Sequence, residues 1–349
     1  MSNEVAVKTD RAQMSPEWKS LLEVDSALLR ITDLHAEYRT EKAKVSALNG
    51  MSLVVNKGQS VGLVGETGAG KTTAALSVLN VLPKDVGFIT HGQVEFNGKD
   101  VQKMSRNELR DLRGDSVAMV FQNPLTALNP VFSVGEQIAM VLRVHQKLSP
   151  RQALKRAGEL LEVVGISAGR VKDYPMQFSG GMRQRVGIAA ALACNPMLLI
   201  ADEPTTALDV TIQAQILELM RGLQEQYDTS LLMITHNLGI ISELCQYVAV
   251  MYAGRVIEYG SAQSVFTSPK HPYTIGLLGA LPALEGPRER LMAIPGTIAD
   301  PRNLPSGCAF NPRCSQCEER CKTMNPSMTH LGDSHFVECF SYENMSRGG

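Results

Sequence analysis

One glycine-rich segment in the first quarter of the chain has the residue types and spacing that bind phosphate. It follows the apolar run SVGLV at 60–64, leads into a helical pattern, and has the spacing G-x-x-x-x-G-K-[ST]. In such a loop backbone N–H groups converge on phosphate oxygens, Lys71 neutralises them, and the Thr72 hydroxyl binds Mg²⁺. The segment predicts a site for nucleotide phosphates and Mg²⁺, which alone could belong to a kinase, a GTPase or a helicase. Its candidate nucleotide-binding residues are Gly65, Thr67, Gly68, Ala69, Gly70, Lys71, Thr72 and Thr73.

A carboxylate pair follows a second apolar run, MLLIA at 197–201. Asp202 ends that predicted strand, which would hold its carboxylate beside the phosphate-binding loop as a further ligand for Mg²⁺. Glu203 comes next and can act as a general base that polarises a water for in-line attack on the γ-phosphate. A solvated loop start is the alternative for an Asp-Glu pair, and the phosphate-binding loop upstream favours the catalytic interpretation.

The bulk properties are those of an ordinary globular protein. The 349 residues are 44% hydrophobic and 20% charged, with a formal net charge of −1. This charge does not indicate a general nucleic-acid binder. The sequence has no apolar run long enough to span a membrane and no secretory signal pattern at its start. We therefore expect a cytoplasmic protein.

Strand and helix patterns alternate along most of the chain, which predicts an α/β fold with a mainly parallel sheet. We expect an N-terminal arm at 1–26 and an ATPase domain at 27–270 that begins with a β-hairpin. Within this domain, residues from about 124 to 195 are mostly helical. From position 271 Pro, Gly and Cys become frequent, so residues 271–349 are predicted to form a small separate C-terminal region.

The segment Phe178-Ser179-Gly180-Gly181-Met182-Arg183-Gln184-Arg185 resembles the signature sequence of ABC ATPases, normally LSGGQ. The resemblance implies that Ser179, Gly180 and Gly181 open a helix and bind the γ-phosphate of ATP held by the opposite subunit. Met182 departs from the usual Gln, and FSGGMRQR is similar to the oligopeptide/dipeptide branch of ABC importers. The implied fold is an ABC-type P-loop NTPase with a parallel-sheet core, an antiparallel β subdomain, a helical signature subdomain and a Cys-rich C-terminal extension.

Other positions fit the same resemblance in order. Gln122 resembles the Q-loop glutamine, which reaches Mg²⁺ and contacts membrane subunits, and Ala207-Leu208-Asp209 resembles the D-loop at the dimer interface. His236 resembles the switch histidine that contacts the γ-phosphate, although Asn237 stands where Asp is usual. Tyr38 lies where the family places an aromatic ring on adenine; an ordinary strand aromatic is the alternative.

The C-terminal region also resembles peptide-importer ATPases, through HPYT at 271–274 and a group of cysteines. The resemblance implies a 4Fe–4S cluster on Cys308, Cys314, Cys321 and Cys339. Zn²⁺ suits four thiolates as well, and Cys314 with Cys317 has a zinc-like spacing. Unliganded cytosolic thiols are a further alternative.

The resemblance implies an ATP-hydrolysing subunit that energises an importer of di- or oligopeptides, or of a related small solute. It would lie on the cytoplasmic face of the cell (inner) membrane as a peripheral protein. Its implied partners are a second ABC ATPase (a paralogue rather than a second copy), two transmembrane permease subunits and an extracytoplasmic substrate-binding protein, with no nucleic acid. The alternatives are a soluble ABC-type ATPase acting on nucleic acid or ribosomes, and a subunit that holds ATP without turnover.

Overall fold

The computed structural model describes residues 14–41, 43–123, 127–206, 208–280 and 294–343. Its strands are β1 Ala27–Arg39, β2 Lys44–Asn56, β3 Ser60–Val64, β4 Gly87–Phe96, β5 Lys99–Asp100, β6 Val117–Val120, β7 Leu198–Asp202, β8 Ser230–Ile234, β9 Tyr247–Tyr252, β10 Arg255–Ser261, β11 Met328–His330 and β12 Phe336–Glu338. Its α-helices are α1 Pro16–Leu22, α2 Lys71–Val78, α3 Arg106–Leu112, α4 Val134–His145, α5 Pro150–Val163, α6 Gly180–Ala191, α7 Val210–Tyr227, α8 Leu238–Leu244, α9 Ala262–Thr267 and α10 Pro272–Gly279.

The described strands form two sheets. The smaller has four strands in the order β2-β1-β4-β5, and its pairs are antiparallel. The larger has eight strands in the order β11-β12-β10-β9-β3-β8-β7-β6. Strands β9, β3, β8, β7 and β6 are parallel to one another, whereas β10, β12 and β11 continue the sheet antiparallel. This confirms the predicted α/β fold with a parallel core and an antiparallel β subdomain.

The parallel strands are apolar because both faces of the sheet are covered. Every residue of β3, β7 and β8 is buried, as expected for the near-continuous apolar runs of a parallel sheet. The loops that follow these strands leave the sheet at its carboxyl edge, where α/β proteins bind their ligands. The fold thereby places the phosphate-binding loop, the Asp202–Glu203 pair and His236 at one edge.

The predicted helical stretch contains α4, α5 and α6. Ser133 precedes α4 and Ser149 precedes α5; each side chain caps its helix in a capping box with Glu136 or Gln152. Ser179 caps α6, so the signature segment opens a helix as the resemblance implied. Residues 124–126 of this stretch lie outside the described part of the chain.

Two helices differ from expectation, one because the backbone turns early and the other because of distant contacts. The pattern over 71–82 predicts a longer helix than α2, but α2 ends at Val78 and Asn80 adopts a left-handed conformation with φ 52°. The N-terminal arm carries the unexpected helix α1, whose Trp18 is buried against Tyr259 and Phe336. Residues 1–13 of that arm lie outside the described ranges.

The C-terminal region shares the main sheet with the ATPase core. β12 pairs with β10 through Glu258 and Tyr259, and β11 completes the edge beside it. Residues 281–293 and 344–349 lie outside the described ranges.

Candidate active site

The glycines of the phosphate-binding loop are required by the backbone. Gly65 has φ 157° and a Cβ there would lie 2.2 Å from the Met251 carbonyl oxygen; at Gly70, with φ 101°, it would lie 2.4 Å from that of Ala47. Neither backbone oxygen can move without disturbing a strand, so a side chain is excluded at both positions. Between them, Thr67 and Gly68 are exposed and Ala69 is buried. The loop is thus fixed at both ends and open at its tip.

Lys71 lies buried under this loop. Its Nζ donates hydrogen bonds to the carbonyl oxygens of Gly65 at 2.7 Å and Glu66 at 3.0 Å. Burial lowers the pKa of Lys71, and nearby carboxylates oppose that shift. The ammonium is therefore held at the loop, where a phosphate would be a stronger acceptor than a carbonyl.

Thr72 and Asp202 meet beside the loop. The Thr72 hydroxyl donates to Asp202 Oδ2 at 2.8 Å, and burial raises the pKa of Asp202. Two neighbouring oxygen donors at the start of a phosphate-binding helix suit Mg²⁺, which prefers oxygen ligands and also binds substrate phosphates. The oxygen atoms of Thr72 and Asp202 therefore fit the predicted Mg²⁺ ion.

Glu203 is the centre of a hydrogen-bonded group. Its Oε2 accepts from Gln122 Nε2 at 2.8 Å and from the Thr206 hydroxyl at 2.9 Å, and its Oε1 lies 3.0 Å from His236 Nδ1. Burial raises the pKa of Glu203, but the hydrogen bonds with His236 and Thr206 outweigh it, so the pKa lies below its ordinary value. The carboxylate is ionised at neutral pH and can accept a proton from water.

Thr206 was not singled out in the sequence. It follows Glu203 in the run DEPTT, and the backbone turn returns its N–H to the Glu203 carbonyl oxygen at 3.1 Å. That turn explains why the Thr206 hydroxyl reaches the carboxylate. A hydroxyl residue shortly after the predicted base was the only signal available.

The signature residues form a second group. Ser179 and Gly180 are exposed at the start of α6, whereas Gly181 is buried against Ile212 of α7. Asp209 caps α7 by accepting from the Ile212 N–H at 2.9 Å, and it is exposed. The signature and D-loop residues therefore lie side by side at two helix starts that face outward. Ala207 lies outside the described residues.

Tyr38 lies close to α2. Its hydroxyl is 3.1 Å from the Thr73 hydroxyl, and its ring is half-buried. The structure thus places Tyr38 over the helix that begins at the phosphate-binding loop. Its stacking on adenine stays a prediction.

The five cysteines of the C-terminal region are free thiols. The Cys308 N–H donates to the Cys321 carbonyl oxygen at 2.9 Å. Burial raises the pKa of Cys308 to about 12 and also raises the pKa values of Cys314 and Cys339, which favours thiols over thiolates. Across the residues that the structure describes, no group of three or more His, Cys, Asp or Glu side chains is arranged to hold a metal ion. The geometry therefore gives no support to the predicted 4Fe–4S cluster or to Zn²⁺.

Comparison with known proteins identifies the family. Residues 48–206 match the ABC transporter family, and residues 257–321 match the C-terminal region of oligopeptide/dipeptide transporters. The oligopeptide transport ATP-binding protein AppD of Bacillus subtilis (strain 168) is 45% identical over 320 residues, covering 91% of this chain and 98% of that protein. This chain belongs to the ATP-binding subunits of the oligopeptide/dipeptide ABC transporter family. The dipeptide transport ATP-binding protein DppD of Escherichia coli (strain K12) is 44% identical over 315 residues, covering 90% and 96%.

Solved structures of ABC proteins share the fold of this subunit. A dimeric, post-hydrolysis structure of the ATP-binding cassette MJ0796 bound to ADP and Pi matches with a TM-score of 0.60 and 26% identity, over 67% of this chain and 98% of that one. The structure of cbiO1 from Clostridium perfringens matches with a TM-score of 0.59 and 27% identity, over 72% and 96%. The predicted fold class is confirmed. As an ABC ATPase, the subunit hydrolyses ATP to energise transport across a membrane.

No helix in the described ranges of this ABC subunit combines the length and the apolar character needed to cross a bilayer.

Proposed function

We propose that this ATPase powers the import of di- or oligopeptides, or of a related small solute, from the cytoplasmic face of the cell membrane. The observation that carries the proposal is the match of residues 257–321 to the C-terminal region of oligopeptide/dipeptide transporters. Relatives named for oligopeptide and dipeptide transport, which align along nearly their whole length, support the solute class.

In the proposed mechanism each group has a separate task. The phosphate-binding loop and Lys71 bind the ATP phosphates, and Tyr38 stacks on adenine. Thr72 and Asp202 would hold Mg²⁺, together with Gln122 once nucleotide binds, and the ion would supply positive charge against the phosphates. Glu203 takes the proton of the attacking water. His236 orients the Glu203 carboxylate and, when nucleotide is bound, contacts the γ-phosphate.

We propose that the functional unit contains a second ATPase subunit. The chain has one phosphate-binding loop and one signature segment, and the exposed Ser179, Gly180 and Asp209 are suited to complete the site of a partner. A paralogue is proposed over a second copy. Two transmembrane permeases would receive the movement of the Gln122 loop, and an extracytoplasmic binding protein would deliver the solute.

Reconstitution tests this function. The full chain is co-purified with its permease and ATPase partners, placed in proteoliposomes with ATP inside, and given the binding protein and a labelled tripeptide outside. Uptake that requires ATP and is lost in the Lys71→Ala complex supports the proposal. Uptake of nickel chelates or sugars with none of peptides would contradict the peptide class.

A 4Fe–4S cluster on Cys308, Cys314, Cys321 and Cys339 is a separate proposal. Its support is chemical, since these four thiols occur within one short region of the sequence. The described positions of the thiols do not form a metal-binding group. Iron and acid-labile sulfide are measured in anaerobically purified protein. About four irons per chain would support the cluster; zinc alone would favour the other metal, and absence of both would refute either site.

A further inference from the structure

The C-terminal region reaches the phosphate-binding loop at Glu66. Arg313 donates from Nη1 to Glu66 Oε2 at 2.7 Å and from Nη2 to Oε1 at 3.2 Å. The Tyr273 hydroxyl, at the start of α10, accepts from the Glu66 N–H at 2.9 Å. Both the side chain and the backbone of one loop residue are therefore held by the region that follows the ATPase core.

Arg313 is fixed in this position by its own surroundings. Its side chain is only 4% exposed, and its Nε donates to the Pro295 carbonyl oxygen at 3.0 Å. The guanidinium carbon lies 5.8 Å from the centre of the Phe310 ring and 5.9 Å from that of Tyr252. A two-point arginine–carboxylate pair with a buried arginine has a defined geometry, unlike an exposed pair of flexible side chains.

Glu66 is an unfavourable residue for a loop that binds anions. It follows Gly65 directly within the loop, and Lys71 donates to its backbone carbonyl oxygen. The carboxylate is also close enough to Lys71 to interact with it electrostatically. An uncompensated negative charge on Glu66 would repel ATP and weaken the attraction between Lys71 and phosphate.

We propose that Arg313 is a positioning residue for ATP binding: it cancels the charge of Glu66 and holds the phosphate-binding loop against the C-terminal region. The nucleotide site thereby includes a residue from outside the ATPase core. Anything that displaces the Arg313 segment uncovers the Glu66 charge and lowers the affinity for ATP. The inference rests on ATP binding by the subunit and is independent of which solute is transported.

The test measures the dissociation constant of a fluorescent ATP analogue, with Mg²⁺, on the purified full chain. Arg313→Met removes the charge at similar length, and we expect binding about tenfold weaker. Arg302→Met is the matched control, because Arg302 lies in the same region, is exposed and pairs with Asp300; its affinity should equal that of the wild type. Unchanged affinity in Arg313→Met would overturn the proposal.

The double variant separates charge cancellation from a general structural role. In Glu66→Gln/Arg313→Met both charges are gone, so affinity should return to within about threefold of the wild type. Binding as weak as in Arg313→Met alone would show that Arg313 acts only through folding, and would refute the inference.

A single change at the loop keeps the proposal testable if Arg313→Met does not fold. Glu66→Gln leaves the Arg313 charge beside the phosphates, and we expect binding about threefold tighter; weaker binding would refute the proposal. Failure of peptide uptake in a chain that shows these affinities would count against the proposed solute alone.

Discussion

At the scale of single residues, the hydrogen bonds around Glu203 prepare it for proton transfer. Gln122 and Thr206 approach one carboxylate oxygen and His236 the other. Glu203 itself has φ 46°, in the left-handed region that non-glycine residues rarely adopt. Such strain is maintained when the surrounding contacts fix it, and here the Glu203 carboxylate is fixed by its three hydrogen-bond partners.

Glu203→Gln should abolish turnover while leaving ATP binding intact. The amide keeps the size of the side chain but cannot accept a proton from water, so the ATPase rate should fall by at least about 100-fold. The rate and the affinity for ATP are measured on the same preparation. Glu218→Gln, an exposed change on α7, is the control. A rate within a few-fold of the wild type would exclude Glu203 as the base.

Thr206→Val should slow hydrolysis moderately. The variant keeps the shape of the side chain but loses the hydroxyl that donates to Glu203, a contribution of about 1 kcal/mol and hence about fivefold in rate. Thr206→Ser retains the hydroxyl and should stay close to the wild-type rate. Equal rates in the Val and Ser variants would show that the hydrogen bond does not assist catalysis.

Spacing in the sequence located the residues of this site because phosphate loops and strand-end carboxylates follow from local chain geometry. It predicts Lys71, Thr72, Asp202 and Glu203 at one edge of the sheet, where the structure places them, and their binding and catalytic roles stay predictions. It could not reveal Thr206, whose role depends on a turn, or the Arg313–Glu66 pair, whose members are 247 positions apart. Nor could it decide how closely the C-terminal thiols approach one another.

At the scale of elements, the contact between α6 and α7 depends on one glycine. A Cβ on Gly181 would lie 2.5 Å from Ile212 Cγ2, whereas one on Gly187, in the same helix, would meet nothing within 4 Å. The lack of a Cβ at Gly181 therefore lets α6 pack closely against α7.

Gly181 and Gly187 of α6 should respond in opposite ways to alanine. Gly181→Ala forces Ile212 or the helix to shift and should lower the free energy of unfolding by about 1–3 kcal/mol. Gly187→Ala fills open space and improves helix propensity, which should raise it by up to about 1 kcal/mol. Chemical denaturation measures both. Stabilisation by both changes would show that the helix contact adapts without strain.

Helices and strands were predicted well where the local sequence determines them and poorly where contacts between distant parts of the chain determine them. The apolar runs predicted β3 and β7 almost residue for residue, because buried parallel strands are mostly apolar. Helix α1 was missed, since its burial depends on Trp18 meeting Tyr259 and Phe336, far along the chain. Strands β11 and β12 are three residues each, too short for a periodic pattern.

At the scale of the whole molecule, Glu258 joins the C-terminal region to the core. This fully buried residue of β10 accepts hydrogen bonds from the N–H groups of Lys270 at 2.7 Å and His271 at 2.9 Å, and its Oε1 lies 2.8 Å from His335 Nε2. One carboxylate therefore fixes the segment leading to α10 and the strand β12. Beside it, His271 caps α10, with Nδ1 accepting from the Tyr273 N–H at 3.0 Å.

The buried His271 should make the protein less stable in acid. Burial lowers its pKa to about 4, against an attraction to Glu258 that raises it. Between this value and the ordinary value of about 6.5, the unfolded chain binds a proton that the folded chain does not. Stability is therefore full above about pH 6.5 and falls as the pH drops toward 4, with about 2 kcal/mol lost from pH 7 to pH 5.

His271→Asn separates this effect from the other titrating groups. Asn can still cap the helix by accepting a backbone N–H, but it does not bind a proton in this range. Although the variant loses the ring contact with Phe310 and is less stable at pH 7, its stability should change less between pH 7 and pH 5 than that of the wild type. Urea denaturation at both pH values gives the difference, and an identical pH dependence in the two proteins would show that His271 is not the responsible group.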